Sequence, residues 1–272
     1  MNSYCDIAAS DGSGSMKAYL GMPAGKPKAG IVVIQEILGV NKDIRAMADA
    51  WAASGYAAIA PDLFWRLKPG VELDADIPDE FEEGLDLMQK FNADKSVEDL
   101  AASIAALRSR GCAKVGVVGY CLGGRLAFLC ATRTDSDATV GYYGVGLDNL
   151  LGERQNISKP LLLHIATRDK FSPPEAQAKV RAALKDNPLV TIYEYDADHA
   201  FARGSGSARV PALAQQADER TRAFFIDNLA SSGSVLGSTL TRDRVADVDT
   251  LVPRPVAFDL ASRDRVAKIF SN

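Results

Sequence analysis

The chain has 272 residues, with 31 Lys and Arg against 35 Asp and Glu, two histidines and a formal charge of −4. Hydrophobic residues at 47% and charged residues at 24% are those of an ordinary globular protein, which excludes disorder, collagen and coiled coil. The acidic balance leaves no electrostatic footprint for nucleic acid, and no apolar run approaches the ~20 residues of a membrane span.

The beginning of the chain, MNSYCDIAASDGSGS, has neither a basic leader nor an apolar core of a signal segment, so a cytoplasmic protein is expected. The four cysteines, Cys5, Cys112, Cys121 and Cys130, form no CxxC and pair with no histidine at metal-ligand spacing. Neither a structural metal nor a disulfide framework is expected. Any histidine-dependent chemistry must use His164 or His199.

An N-terminal ribbon is expected over Met16–Met22. From residue 30, short apolar runs alternate with amphipathic stretches. The runs Ile31–Gln35, Tyr56–Ala60, Lys114–Gly119, Thr139–Tyr143, Leu161–Ala166 and Val190–Tyr195 are bounded by Gly, Pro, Asp or Asn and predict strands buried on both faces. Between and after them, Asp43–Ser54, Asp79–Phe91, Val97–Arg110, Arg125–Thr132, Glu175–Lys185 and Ala212–Leu229 predict helices. Ser96 with Asp99 resembles a capping box, and Ser54-Gly55 and Arg110-Gly111 are expected helix stops. Leu67–Pro78 is expected to run over the C-terminal edge of the sheet. This alternation predicts an α/β fold, a mostly parallel central sheet with helices on both faces. Residues 1–230 form that domain. Residues 231–272 read as an extension, a Ser/Gly-rich linker (Ala230–Gly237) followed by an apolar set (Phe258, Leu260, Val266, Ile269, Phe270) that either docks as a short helix on the body or a partner subunit, or frays.

The strongest chemical signal is KVGVVGYCLGG at 114–124. Gly119-Tyr120-Cys121-Leu122-Gly123 is a G-x-nucleophile-x-G element between a strand and a helix. Such a turn strains the backbone of its middle residue and stands that side chain above the sheet edge at a helix N-terminus, where a thiolate is favoured. The plainer alternative is a buried cysteine in a Gly-rich turn. The partners of such a nucleophile follow in chain order, acid then histidine. His164 lies within an apolar run and reads as a core histidine, whereas His199 lies in the loop after the last strand. Asp169, after the preceding strand, is favoured as the acid over Asp196 and Asp198, which read as turn-formers. An oxyanion needs two donors, expected at the backbone N–H of Leu122 and in the loop near Ile37. Glu36, at the end of a buried strand, is either functional or paired with a structural arginine; Arg203 is near enough in sequence to His199 to reach the same mouth.

These strings, with QEILGVN at 35–41, GYAAIAPDLF at 55–64, KVGVVGYCLGGRLAF at 114–128, VGYYGVGL at 140–147 and HAFAR at 199–203, resemble the dienelactone hydrolase (carboxymethylenebutenolidase) family, a cysteine branch of the α/β-hydrolases. The resemblance covers roughly residues 15–230. It implies an α/β-hydrolase fold, and an enzyme that opens an enol-lactone, dienelactone to maleylacetate, in aromatic catabolism, with no cofactor. It implies Cys121 as nucleophile, His199 as base and Asp169 as acid. It further implies that Glu36 pairs with the resting thiol and that Arg203 binds the substrate carboxylate. The helix at 79–91 departs from the family pattern: it offers no arginine to the pocket, and Phe81, Leu85 and Met88 stand where the substrate wall is expected. One arginine fewer holds an anion less tightly, so a broader carboxylesterase or lactonase with a more apolar pocket is the alternative, and a non-catalytic binding protein on the same scaffold a further one. The expected partner is a small lactone or ester, with neither nucleic acid nor membrane; the extension is a candidate contact.

Overall fold

The computed structural model describes residues 2–230 and positions 265, 268 and 269. One eight-stranded sheet runs through the molecule: β1 (Asn2–Ala8), β2 (Ser15–Gly21), β3 (Gly30–Ile34), β4 (Ala57–Pro61), β5 (Val115–Tyr120), β6 (Ala138–Tyr142), β7 (Leu161–Ala166) and β8 (Val190–Tyr195). The spatial order is β1-β2-β4-β3-β5-β6-β7-β8. β1–β2 and β2–β4 pair antiparallel, and all pairs from β4 to β8 are parallel. Every residue of β3 to β7 is buried, as their predominantly apolar content, rich in Val, Ile, Leu and Ala, requires of strands covered on both sides.

Among the described residues, six α-helices complete the layers: α1 (Lys42–Ala53), α2 (Pro78–Lys90), α3 (Ala93–Ser109), α4 (Leu122–Arg133), α5 (Pro174–Leu184) and α6 (Pro211–Leu229). α1 and α6 share a face, joined by the Trp51–Phe225 ring contact, while α3 and α4 pack together on the other. Three details differ from the sequence-based expectation. β1 was not anticipated, because its alternating run Ser3–Ile7 includes Tyr4, Cys5 and Asp6 and lacks a hydrophobic signature. α3 begins at Ala93 instead of Val97. Its cap is Asn92, whose side chain accepts the Lys95 N–H at 3.0 Å, so Ser96 is a buried residue of the first turns and not a cap. A 3₁₀ segment, Leu147–Asn156, follows β6 where no element was expected.

The parallel strands all point their C-terminal ends to one edge, so the loops after β3, β5, β7 and β8 meet there. Residues 67–77 cross that edge as expected. The Leu73 N–H bonds to the Leu38 carbonyl at 2.9 Å, and Asn41 Nδ2 donates to the Leu73 carbonyl at 3.0 Å. The expected extension lies outside the described residues except at its far end. There Arg265 reaches Glu82 at 2.6 Å and also pairs with Asp86, both on α2, and Ile269 packs at the margin of the core.

Candidate active site

Cys121 joins β5 to α4 with φ 58° and ψ −114°, a conformation costly for a residue with a side chain. The turn is held on both sides: the Cys121 N–H donates to the Tyr142 carbonyl at 3.1 Å, and its own carbonyl accepts from Gly124 and Arg125 at 2.9 and 3.1 Å. The flanking glycines are required by space. A Cβ on Gly119 would lie 1.9 Å from the Gly123 carbonyl oxygen, and one on Gly123 would lie 2.6 Å from the carbonyls of Ile34 and Gln35. The strained thiol position therefore follows directly from the G-x-C-x-G spacing.

His199 follows β8, and Asp169 follows β7. His199 Nδ1 donates to Asp169 Oδ2 at 2.6 Å, while Asp169 Oδ1 accepts the Phe171 N–H at 2.8 Å, so both carboxylate oxygens are engaged. Asp169 is 4% exposed. His199 Nε2 is buried and makes no hydrogen bond of normal geometry. Burial disfavours charge on this ring, but the Asp169 carboxylate, and after it the charge of Cys121, outweigh that and raise His199 to about 10. The arrangement favours a protonated imidazole at rest. Asp196 and Asp198 face Arg168 at 3.3 and 3.8 Å and take no part.

One small cavity, leaving about 20 Å³ for the centre of a water-sized sphere, is bordered by Ile37, Phe81, Leu85, Met88, Cys121, Val145, Phe171, His199 and Arg203. Of the sequence-derived site residues, Ile37, Phe81, Leu85, Met88, Cys121, His199 and Arg203 border it, while Asp169 is joined to it through His199 and Glu36 through Arg203. Leu122 is the first helical residue of α4, so its N–H has no intrahelical acceptor. Val145 and Phe171 went unforeseen. Phe171 sits edge-on to the His199 ring at 4.9 Å, and its place two residues after the acid was the available signal. Tyr143, edge-on to His199 at 5.2 Å, was read only as a strand residue.

Glu36 lies 4% exposed at the same edge, and here the expectation needs correction. Its carboxylate does not pair with the thiol. Arg203 Nε and Nη2 hold Glu36 Oε2 and Oε1 at 2.8 and 3.1 Å, a bidentate pair. Geometry explains the choice, since the planar guanidinium matches both oxygens and a thiol offers one weak donor. Burial opposes the Arg203 charge, but the Glu36 carboxylate more than restores it and holds the group above the usual arginine range.

His164 is the core histidine expected. Its Nδ1 and Nε2 meet Tyr195 Oη and Thr221 Oγ1, each at 2.8 Å, and burial pushes it down to about 3. Burial likewise pushes the Cys130 thiol up to about 12, so it stays protonated. Among the described residues no group of three or more His, Cys, Asp or Glu is arranged to hold a metal ion, and no helix is long and apolar enough to cross a membrane.

Residues 16–229 match the model of the dienelactone hydrolase family. The chain belongs to that family. A provisionally named carboxymethylenebutenolidase of Azospirillum brasilense is 48% identical over 224 residues, covering 79% of this chain and 95% of that one. Carboxymethylenebutenolidase of Pseudomonas putida is 40% identical over 213 residues, covering 76% and 89%. A provisionally assigned dienelactone hydrolase from Klebsiella pneumoniae superposes with a TM-score of 0.74 at 28% identity, covering 83% of this chain and 98% of that one. Membership makes the chain an α/β-hydrolase acting on lactone or ester bonds.

Proposed function

We propose that the enzyme opens an anionic enol-lactone of the dienelactone type by a cysteine nucleophile, serving the breakdown of aromatic compounds in the cytoplasm, with residues 1–230 as the catalytic domain. The observation that carries this reading is the convergence of Cys121, the His199–Asp169 pair and the Arg203–Glu36 pair on one cavity. Cys121 Sγ attacks the lactone carbonyl as a thiolate, and the oxyanion is received by the N–H groups of Leu122 and Ile37. The carbon–oxygen bond of the ring then breaks, the imidazolium of His199 protonates the departing enol oxygen, and a thioester remains on Cys121. Neutral His199, oriented by Asp169, then takes a proton from water, whose oxygen displaces the thiolate to release the acid. The substrate carboxylate competes with Glu36 for Arg203, and Glu36 so released accepts the proton of an idle thiol. Keeping the idle thiol neutral protects it from oxidation.

A second reading is supported by the wall Phe81, Leu85 and Met88, which is buried and apolar and provides no second cation. A general esterase or lactonase for less polar substrates would suit it. Steady-state hydrolysis of cis- and trans-dienelactone beside neutral p-nitrophenyl acetate separates the two. The lactonase reading expects a kcat/KM about a hundredfold higher for the anionic lactone, or about 2.7 kcal/mol of transition-state discrimination. A preference for the neutral ester would contradict it.

A further inference from the structure

On the face shared by α1 and α6, a second cavity leaves about 240 Å³ for the centre of a water-sized sphere, against about 20 Å³ at the candidate active site, and the two have no bordering residue in common. A single water needs only ~10–15 Å³ on that measure, so the space admits a small organic molecule.

The walls of this cavity differ in character. Met47 and Trp51 of α1 form an apolar side, and Arg209 and Arg222 bring two guanidinium groups. The Arg209 guanidinium donates to the Arg203 carbonyl at 2.6 Å, and Arg222 is exposed at the opening; neither forms an ion pair among the described residues. Two carboxylates also border the space, each turned to donors of the protein itself. Both oxygens of Asp43 accept from Ser205, at 2.9 to 3.0 Å, and Asp218 accepts the Tyr142 hydroxyl at 2.9 Å. The unmet charge at the cavity is therefore positive.

The donor that points to a ligand is Tyr120, the last residue of β5, which borders the cavity and is 4% exposed. It stands opposite Tyr142 in the register of β5 and β6, so the two side chains leave the same face of the sheet. Their rings run alongside each other, 4.7 Å apart with 30° between planes. The Tyr142 hydroxyl ends on Asp218 and Thr221 of α6, both of which border the cavity. The Tyr120 hydroxyl, directed alongside it, makes no hydrogen bond among the described residues. Burial holds this phenol well above its usual range, so it remains a donor. Buried donors are normally bonded, and one left open beside a roomy cavity is a place for the acceptor of a ligand.

We propose that this cavity binds a small organic carboxylate with a flat apolar body. The carboxylate meets Arg209, Arg222 and the Tyr120 hydroxyl, and the body lies against Met47 and Trp51. Thr221 and Arg222 lie one helical turn beyond Asp218 on one side of α6, which leaves the Arg222 end open to entry from solvent. The site is separate from the proposed lactone reaction and does not depend on it.

Calorimetric titration of the full chain with benzoate, benzamide and benzylamine tests this. Benzoate is expected to bind with a Kd of about 1 mM or tighter, and the neutral amide and the cationic amine at least about tenfold more weakly. Tyr120→Phe removes an oxygen that has no bond in the free protein, and Arg222→Ala alters an exposed position, so both variants should keep the melting temperature of the parent. Each is expected to weaken benzoate about fivefold or more. Neither residue borders the cavity of Cys121 and His199, so these losses separate the two sites. No binding by the parent at about 10 mM benzoate, affinity for benzamide or benzylamine equal to or greater than for benzoate, or benzoate affinity unchanged in either variant would each overturn the proposal. The series of three ligands on the parent tests it even where a variant does not fold.

Discussion

At the residue scale, the proposed choice of substrate turns on the Glu36–Arg203 pair. Both side chains are under a tenth exposed, and their two hydrogen bonds satisfy a carboxylate that would otherwise be stranded. Arg203→Ala is therefore expected to cost about 3–5 kcal/mol of stability, the loss typical when one member of a buried ion pair is removed. Adding Glu36→Gln to that variant should recover part of the loss, which denaturant unfolding of the four-member cycle would measure. Additive losses would mean the two groups are not coupled. The sequence suggested that Arg203 could reach the same mouth and that Glu36 could pair with an arginine, but not that the two are each other's partners. A pairing across 167 residues depends on how the loops after β3 and β8 close, and no local pattern encodes that. Val145 and Tyr143 were missed for the same reason: their places at the site are set by neighbours from other loops.

At the scale of elements, α2 connects the pocket wall to the loop proposed to receive the oxyanion. Gly84 faces the loop so closely that a Cβ would lie 2.8 Å from the Ile37 carbonyl oxygen. In Gly84→Ala two effects compete. Alanine gains up to about 1 kcal/mol of helix propensity, and overpacking against a backbone carbonyl costs about 1–3 kcal/mol. The balance predicts a small net change in stability but a displaced Ile37 N–H, so kcat should fall about tenfold or more on charged and neutral substrates alike. Unchanged kcat on both would remove Ile37 from the oxyanion role. Strongly patterned elements were legible in the sequence: β7 and β8 begin and end where their apolar runs do, and Ser54-Gly55 and Arg110-Gly111 do stop α1 and α3, with Gly55 and Gly111 at positive φ. Weakly patterned ones were not. The start of α3 was misplaced because Ser96 and Asp99 imitate a cap, while Asn92, preceding a polar first turn, does the capping.

For the molecule as a whole, acid stability should depend on His164. Its native value, about 3, lies below the ordinary histidine value of 6.5, so the unfolded chain binds a proton that the native state refuses. Stability on this account is fully present above about pH 6.5 and is lost as pH falls toward 3, at up to about 1.4 kcal/mol per pH unit. His164→Gln should flatten the pH dependence of unfolding in that window. A slope identical to the parent's would show that His164 is not the group responsible. The contact of Arg265 with α2 involves partly exposed groups and contributes at most about 1 kcal/mol. Whatever the extension does, the fold of the family domain does not depend on that pair.

The central claim is that Cys121 carries the acyl group. Rapid acid quench of the enzyme during turnover of p-nitrophenyl acetate, followed by digestion and mass spectrometry, tests it most directly. The account predicts an acetyl group on Cys121 in the parent, and in Cys121→Ala no adduct and less than about 1% of the parent rate. Acylation at another residue, or a Cys121→Ala enzyme that keeps more than a few per cent of activity, would contradict it.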